Sequence, residues 1–174
     1  MAFEIVPGSP AGGAEIRGLD LRQKLDPATV SALNDAWHEN LVLLFRGADF
    51  SDEELVDFSR YFGEPEKAPP NEAKNTTSDG YVPGLPEVSV ISNVIVDGVE
   101  IGSLGSGECF WHADMSYNPK PVKAAALYAL ELPATGGETS FLNLYAAYET
   151  MPDALMKKIA GRLAVHDLTL SSAG

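Results

Sequence analysis

Apolar residues first recur at helical spacing after Asp26-Pro27, where Val30, Leu33, Trp37 and Leu41 stripe one face. Asp before Pro is a helix-start signal, with Asp at the N-cap and Pro at the first helical position. The wholly apolar Leu41–Phe45 run reads as a short buried strand. Ser51 and Glu54 form a capping box, and Leu55, Phe58 and Phe62 mark the face of a second helix that Gly63 closes. Val88–Asn93, residues 124–132, Thr139–Leu144 and Leu163–Leu170 read as further strands. Asp153–Leu163 reads as a last helix with Leu155, Ile159 and Leu163 inward. Residues 7–20 are rich in Gly and Pro and predict turns around a short extended piece. The pattern predicts a single α+β domain over residues 1–174, with a mostly antiparallel β core.

Residues 64–86 interrupt this pattern with five prolines and few apolar residues. They read as a long mobile loop, either an active-site lid or a plain disordered insertion. Val94–Gly107 carries a turn dipeptide, Asp97-Gly98, and a glycine-rich run.

Charge narrows the function classes. With 12 Lys and Arg against 25 Asp and Glu, the 174-residue chain carries −13 at neutral pH. That disfavours nucleic acid and anionic membrane as partners, since both call for a basic surface. No apolar run reaches the roughly 18–20 residues that span a bilayer. The single cysteine, Cys109, excludes an internal disulfide framework and fits a reducing cytoplasm.

The chemistry-bearing segment is Trp111–Tyr117, WHADMSY. On an extended strand residues i and i+2 share a face, so His112 and Asp114 would present an imidazole nitrogen and a carboxylate oxygen together. Two such donors are two thirds of the 2-His-1-carboxylate triad of non-haem Fe(II) sites. The plainer alternative is a histidine hydrogen-bonded to a neighbouring aspartate. His38, on the first helix beside Trp37, reads as a surface or partly buried residue, not a ligand. His166, in VHDL, reads as a hydrogen-bonded residue at the core edge and is not assigned to a metal.

Several ordered motifs resemble one family. GAEIRGLDL (13–21), WHENLVLLFR (37–46), FSRYFGE (58–64), WHADMSYNPKP (111–121), ALYALELPATGGET (126–139), YAAYE (145–149) and VHDL (165–168) follow in sequence. Together they resemble the taurine/phenoxyacetate (TauD/TfdA) branch of the Fe(II)/2-oxoglutarate-dependent dioxygenases.

The resemblance implies a double-stranded β-helix, or jelly roll, with flanking helices. It implies Fe(II) held by His112 and Asp114, and 2-oxoglutarate as co-substrate, converted with O2 to succinate and CO2 as a small acidic substrate is hydroxylated. Thr139, 25 residues past Asp114, matches the threonine whose hydroxyl binds a carboxylate of 2-oxoglutarate. The family's distal histidine and its 2-oxoglutarate-binding arginine fall downstream of Gly174, so the chain reads as an N-terminal portion, incomplete at the C-terminus.

Taurine-using relatives carry a histidine after FGE. Here the loop reads EPEKAPPN, and GECFWHADMSY lies nearer the phenoxyacetate type. Asn93, Ser103 and Tyr117 are candidate substrate-pocket residues, each equally readable as a turn or strand-end residue. Lys67 and Lys74 are candidates for holding a carboxylate or sulfonate, or are solvated loop charges. The competing class is a non-catalytic fragment or assembly module of the same fold, with apolar surface that drives association between copies. A metal-dependent hydrolase would need a nucleophile that the sequence does not offer, since Gly105-Ser106-Gly107 lacks the nucleophile-elbow context.

Overall fold

The computed structural model describes residues 3–67, 81–104 and 111–166. The chain divides into two units. One comprises Met1–Asp49 and Tyr128–Leu163, the other Phe50–Leu127 and Ala164–Gly174.

The first unit is built on a hairpin. Strand β1 (Glu4–Ser9) pairs antiparallel with β2 (Gly12–Arg17), with Ile5 opposite Ile16 and Ser9 opposite Gly12. Helix α1 (Pro27–Asn40) then returns the chain so that β3 (Leu43–Phe45) lies parallel to β2. The order β1-β2-β3 is thus a mixed sheet, with one antiparallel and one parallel ladder. The hairpin occupies the stretch read as turns around one short strand.

Helix α1 starts where its cap dictates. The Asp26 carboxylate accepts from the Ala28 and Thr29 amides at 2.9 and 3.1 Å and from the Thr29 hydroxyl at 2.6 Å. Its buried positions are Thr29, Leu33 and Ala36, one residue round from the predicted face, because the small Ala36 admits close packing where the bulky Trp37 does not. Trp37 stays half-buried and donates its indole N–H to the Leu41 carbonyl at 3.1 Å. Gly12, at φ +128°, sits where a Cβ would lie 3.0 Å from the Asn40 carbonyl oxygen, so only glycine fits the hairpin end under the helix. Phe3, Ala14, Ile16, Leu25, Leu33 and Ala36 form this unit's buried apolar core.

The same unit holds α3 (Leu144–Glu149) and α4 (Asp153–Ile159). Asn143 caps α3 by accepting from the Ala146 amide at 3.1 Å, and its side-chain amide donates to the Ala11 carbonyl at 2.8 Å. The strands expected at 124–132 and Thr139–Leu144 are absent. These residues pair with no strand among the described residues, and Leu130 and Leu132 stand 81% and 76% exposed. The expected inward face of the last helix is likewise exposed at Leu155, Ile159 and Leu163. Residues 163–166 are irregular, and the remainder of the strand expected over Leu163–Leu170 lies outside the described residues.

In the second unit, α2 (Asp52–Ser59) carries the expected capping box. The Glu54 amide donates to Ser51 Oγ at 3.2 Å and the Ser51 amide to the Glu54 carboxylate at 2.7 Å. Turn bonds extend it to Phe62, Val56 is buried, and Phe58 makes ring contacts with Phe50, Tyr61 and Phe62. Strands β4 (Tyr81–Val82) and β5 (Leu85–Ser89) form an antiparallel hairpin that begins within the segment expected to be loop and ends in the strand expected from Val88. Of the rest of that loop, residues 64–67 are irregular and residues 68–80 lie outside the described residues. Two more small ladders follow. Strand β6 (Ile91–Ser92) runs parallel to β9 (Ser103–Leu104), and β7 (Ile95–Val96) antiparallel to β8 (Val99–Glu100). Gly102, at φ +81°, abuts the Val90 carbonyl, where a Cβ would lie at 2.5 Å.

Candidate metal centre

The segment from Trp111 to Asn118 is a turn, not the strand expected from its i, i+2 pattern. Residues 112–113 are irregular and Asp114–Tyr117 form the turn, with Met115 at φ +50° and the Asn118 amide donating to the Met115 carbonyl at 3.0 Å. A left-handed residue reverses the chain where a pleated strand would continue. The turn nevertheless delivers the expected convergence. His112 Nε2 lies 3.1 Å from Asp114 Oδ1, with the two side chains 41% and 59% exposed.

That separation suits two chemistries. With a proton on Nε2, the imidazole donates a hydrogen bond to the carboxylate. With Nε2 deprotonated, a nitrogen lone pair and a carboxylate oxygen stand at the edge spacing of one coordination sphere. Bonds of about 2.1 Å at a right angle place two donors ~3.0 Å apart. The donor set, one imidazole and one carboxylate open to solvent, fits a divalent ion of the Fe(II) type that keeps open positions. Among the described residues no group of three or more His, Cys, Asp or Glu side chains converges, so these two donors are the extent of the cluster there.

The other sequence candidates fall on other elements or, like Tyr117, elsewhere in the turn. Asn93 is exposed between β6 and β7, and Ser103 begins β9 opposite Ile91. Tyr117 is half-buried at the end of the turn. Thr139 belongs to the first unit, exposed in its irregular stretch. Lys67 is exposed, and Lys74 and Cys109 lie outside the described residues. His38 is exposed and tilted against Trp37, ring centroids 5.1 Å apart, as expected of a surface residue.

Two contacts escaped the sequence. His166 Nδ1 meets Ser116 Oγ at 2.9 Å, and Lys123 Nζ donates to the Phe62 carbonyl at 2.9 Å. Both join residues at least 50 positions apart. His166 is hydrogen-bonded as expected but exposed, not at a core edge, and it is the identity of its partner that the sequence did not show.

The chain also matches known proteins along almost its whole length. A profile described as taurine catabolism dioxygenase TauD, TfdA family matches residues 4–173. A pentalenolactone F synthase of Streptomyces avermitilis is 34% identical over 166 residues, covering 94% of this chain and 52% of that protein. An (S)-phenoxypropionate/alpha-ketoglutarate-dioxygenase of Delftia acidovorans is 29% identical, covering 98% of this chain and 56% of its own. Among solved structures, a taurine dioxygenase from Burkholderia xenovorans superposes with a TM-score of 0.66 at 30% identity, over 92% of this chain and 52% of that one. The structure of AAD-2 in complex with Mn(II) and N-oxalylglycine superposes with a TM-score of 0.62 at 27% identity, over 91% and 53%. The chain therefore spans about half the length of the relatives it matches.

Proposed function

Because the chain belongs to the TauD/TfdA dioxygenase family, we propose that it is the metal-bearing N-terminal part of a cytoplasmic Fe(II)/2-oxoglutarate-dependent dioxygenase with the family's jelly-roll core. The substrate we propose is a small organic acid, a carboxylate or a sulfonate. The observation that carries the reading is the 3.1 Å approach of His112 Nε2 to Asp114 Oδ1 on an exposed turn. The family match supports it, as do relatives named for α-ketoglutarate dependence and a structural neighbour that holds Mn(II).

In this reading His112 and Asp114 would hold the ion. His112 must offer Nε2 without a proton, so a ring that carries its proton there would have to move it to Nδ1 or release it on loading, and a ring already protonated only on Nδ1 would not. Asp114 supplies one negative charge toward the ion and keeps a second oxygen free to accept a hydrogen bond. Fe(II), when bound with 2-oxoglutarate, supplies O2 activation that couples succinate and CO2 formation to C–H hydroxylation. Thr139 is the proposed hydroxyl donor to a 2-oxoglutarate carboxylate. Asn93, Ser103 and Tyr117 are proposed to face the substrate. The absence of a histidine after FGE, together with the aryloxy-acid relative, favours a phenoxyacetate-like acid over taurine.

One observation favours the non-catalytic alternative, namely that no third ligand joins His112 and Asp114 among the described residues. The test is Fe(II)- and 2-oxoglutarate-dependent succinate formation by the full translated product, with a panel of aryloxy, alkyl and sulfonated acids. Substrate-stimulated succinate should fall at least a hundredfold in His112→Ala and in Asp114→Ala. No succinate with any acid, once iron loading is verified, would establish the non-catalytic reading.

A further inference from the structure

The His112–Asp114 pair owes its geometry to a turn that contains a left-handed residue. Met115 sits at φ +50°, a region disfavoured for any residue with a Cβ, and among the described residues the Asn118 amide donates to its carbonyl at 3.0 Å. A backbone held there persists only when its surroundings hold it. Ser116, next along the turn and half-buried, meets His166 from a segment 50 residues away, Oγ to Nδ1 at 2.9 Å.

We propose that His166 is a positioning residue for the candidate metal centre. Its imidazole fastens Ser116, and through it the turn that aims Asp114 at His112. The proposal rests on the reading of those two residues as metal donors. Among the described residues His166 does not group with them, so its proposed role is to hold the turn. The contact serves with either tautomer, because a serine hydroxyl both donates and accepts. An asparagine side chain can place an amide nitrogen or oxygen near the position of Nδ1, so His166→Asn can keep the bond while removing the ring. His166→Ala loses it, and Ser116→Ala loses it from the other side.

The experiment uses the full translated product and two readouts. Amide hydrogen exchange at Asn118 reports the turn, and titration with Mn(II), followed by the loss of free-ion EPR signal, reports the donor pair. In His166→Ala and Ser116→Ala, Asn118 should exchange about three- to tenfold faster and Mn(II) affinity should fall about tenfold. The Leu33 amide should stay unchanged, and His166→Asn should restore both quantities to within about twofold. Unchanged Asn118 exchange in His166→Ala overturns the clasp. Faster exchange with undiminished Mn(II) affinity overturns its positioning role, and faster exchange at Leu33 as well would make His166 a general stabilising residue. A wild-type chain that binds Mn(II) no better than His112→Ala refutes the metal reading and this proposal's metal arm with it, a failure separate from the exchange result.

Discussion

Leu33 and Leu130 undergo the same chemical change on truncation to alanine but occupy opposite environments. Leu33 is 0% exposed at the centre of the first unit's core, and Leu130 is 81% exposed. Leu33→Ala removes three buried carbons at ~0.8 kcal/mol each. If roughly 50 Å³ of the space stays empty, the cavity adds ~1.2 kcal/mol. The better helix propensity of alanine returns ~0.2 kcal/mol in α1. The sum is ~3 kcal/mol, or about 6–12 °C in Tm for a chain of this size. Leu130→Ala should stay within ~0.5 kcal/mol. The assay is urea unfolding followed by Trp37 fluorescence, half-buried and bonded to the Leu41 carbonyl, repeated at several protein concentrations, because association would add concentration-dependent stability. Equal destabilisation by the two variants would refute the reasoning, since it would show that Leu130 is covered in solution. A concentration dependence confined to wild type would identify a second copy as the cover.

The Asp26 cap predicts a pH dependence. Bonds from the Thr29 hydroxyl, then from the Thr29 and Ala28 amides, hold its pKa below the ordinary 3.8. The folded value being the lower, its stabilisation is present above the unfolded pKa and is lost as pH falls through that value toward the folded one. Wild-type Tm should therefore drop more between pH 5 and pH 3 than that of Asp26→Asn, a good cap that does not titrate there; parallel Tm curves would contradict this. Metal binding gives the other prediction. His112→Ala, Asp114→Ala and the double variant should lose Mn(II) affinity to a similar extent, because either loss breaks the chelate. Strictly additive losses would show that the two side chains do not share an ion.

What the sequence revealed was local. Asp26-Pro27 and Ser51 with Glu54 announce α1 and α2 because the capping side chains bond amides two or three residues away, and such bonds need nothing from the rest of the fold. The β1–β2 hairpin was obscured because VPGSPAGGA fills both strands with residues of weak strand signal. Helix α3 is six residues long, too short for its period to show, and its Asn143 cap was hidden in a run that alternates like a strand. Residues 124–132 were misread for a different reason. An apolar run reports a capacity for burial, but whether a partner strand exists is non-local information. The donor pair was legible because i, i+2 side chains can meet across a pleat or across a turn. The sequence therefore predicted the convergence while mistaking the backbone that makes it. The His166–Ser116 contact, spanning 50 residues, left no local trace.

The chain's net charge of −13 complicates the reading of any metal affinity it shows. A polyanionic surface attracts divalent cations without a site, and that attraction is long-ranged and fades within about 10 Å at 0.1 M salt. A donor pair 3.1 Å apart acts by contact and is screened far less. Both donors are more than 40% exposed, so water competes with them for the ion, and two protein ligands leave most of a six-coordinate sphere to solvent. The specific part of the affinity must then come from how well the turn holds two side chains in register before the ion arrives. Pre-organisation of this kind is the quantity that a clasp on Ser116 would control and that bulk negative charge cannot supply. Raising ionic strength should weaken wild type and His112→Ala by the same factor and leave their ratio intact. That ratio, not the affinity itself, measures the site.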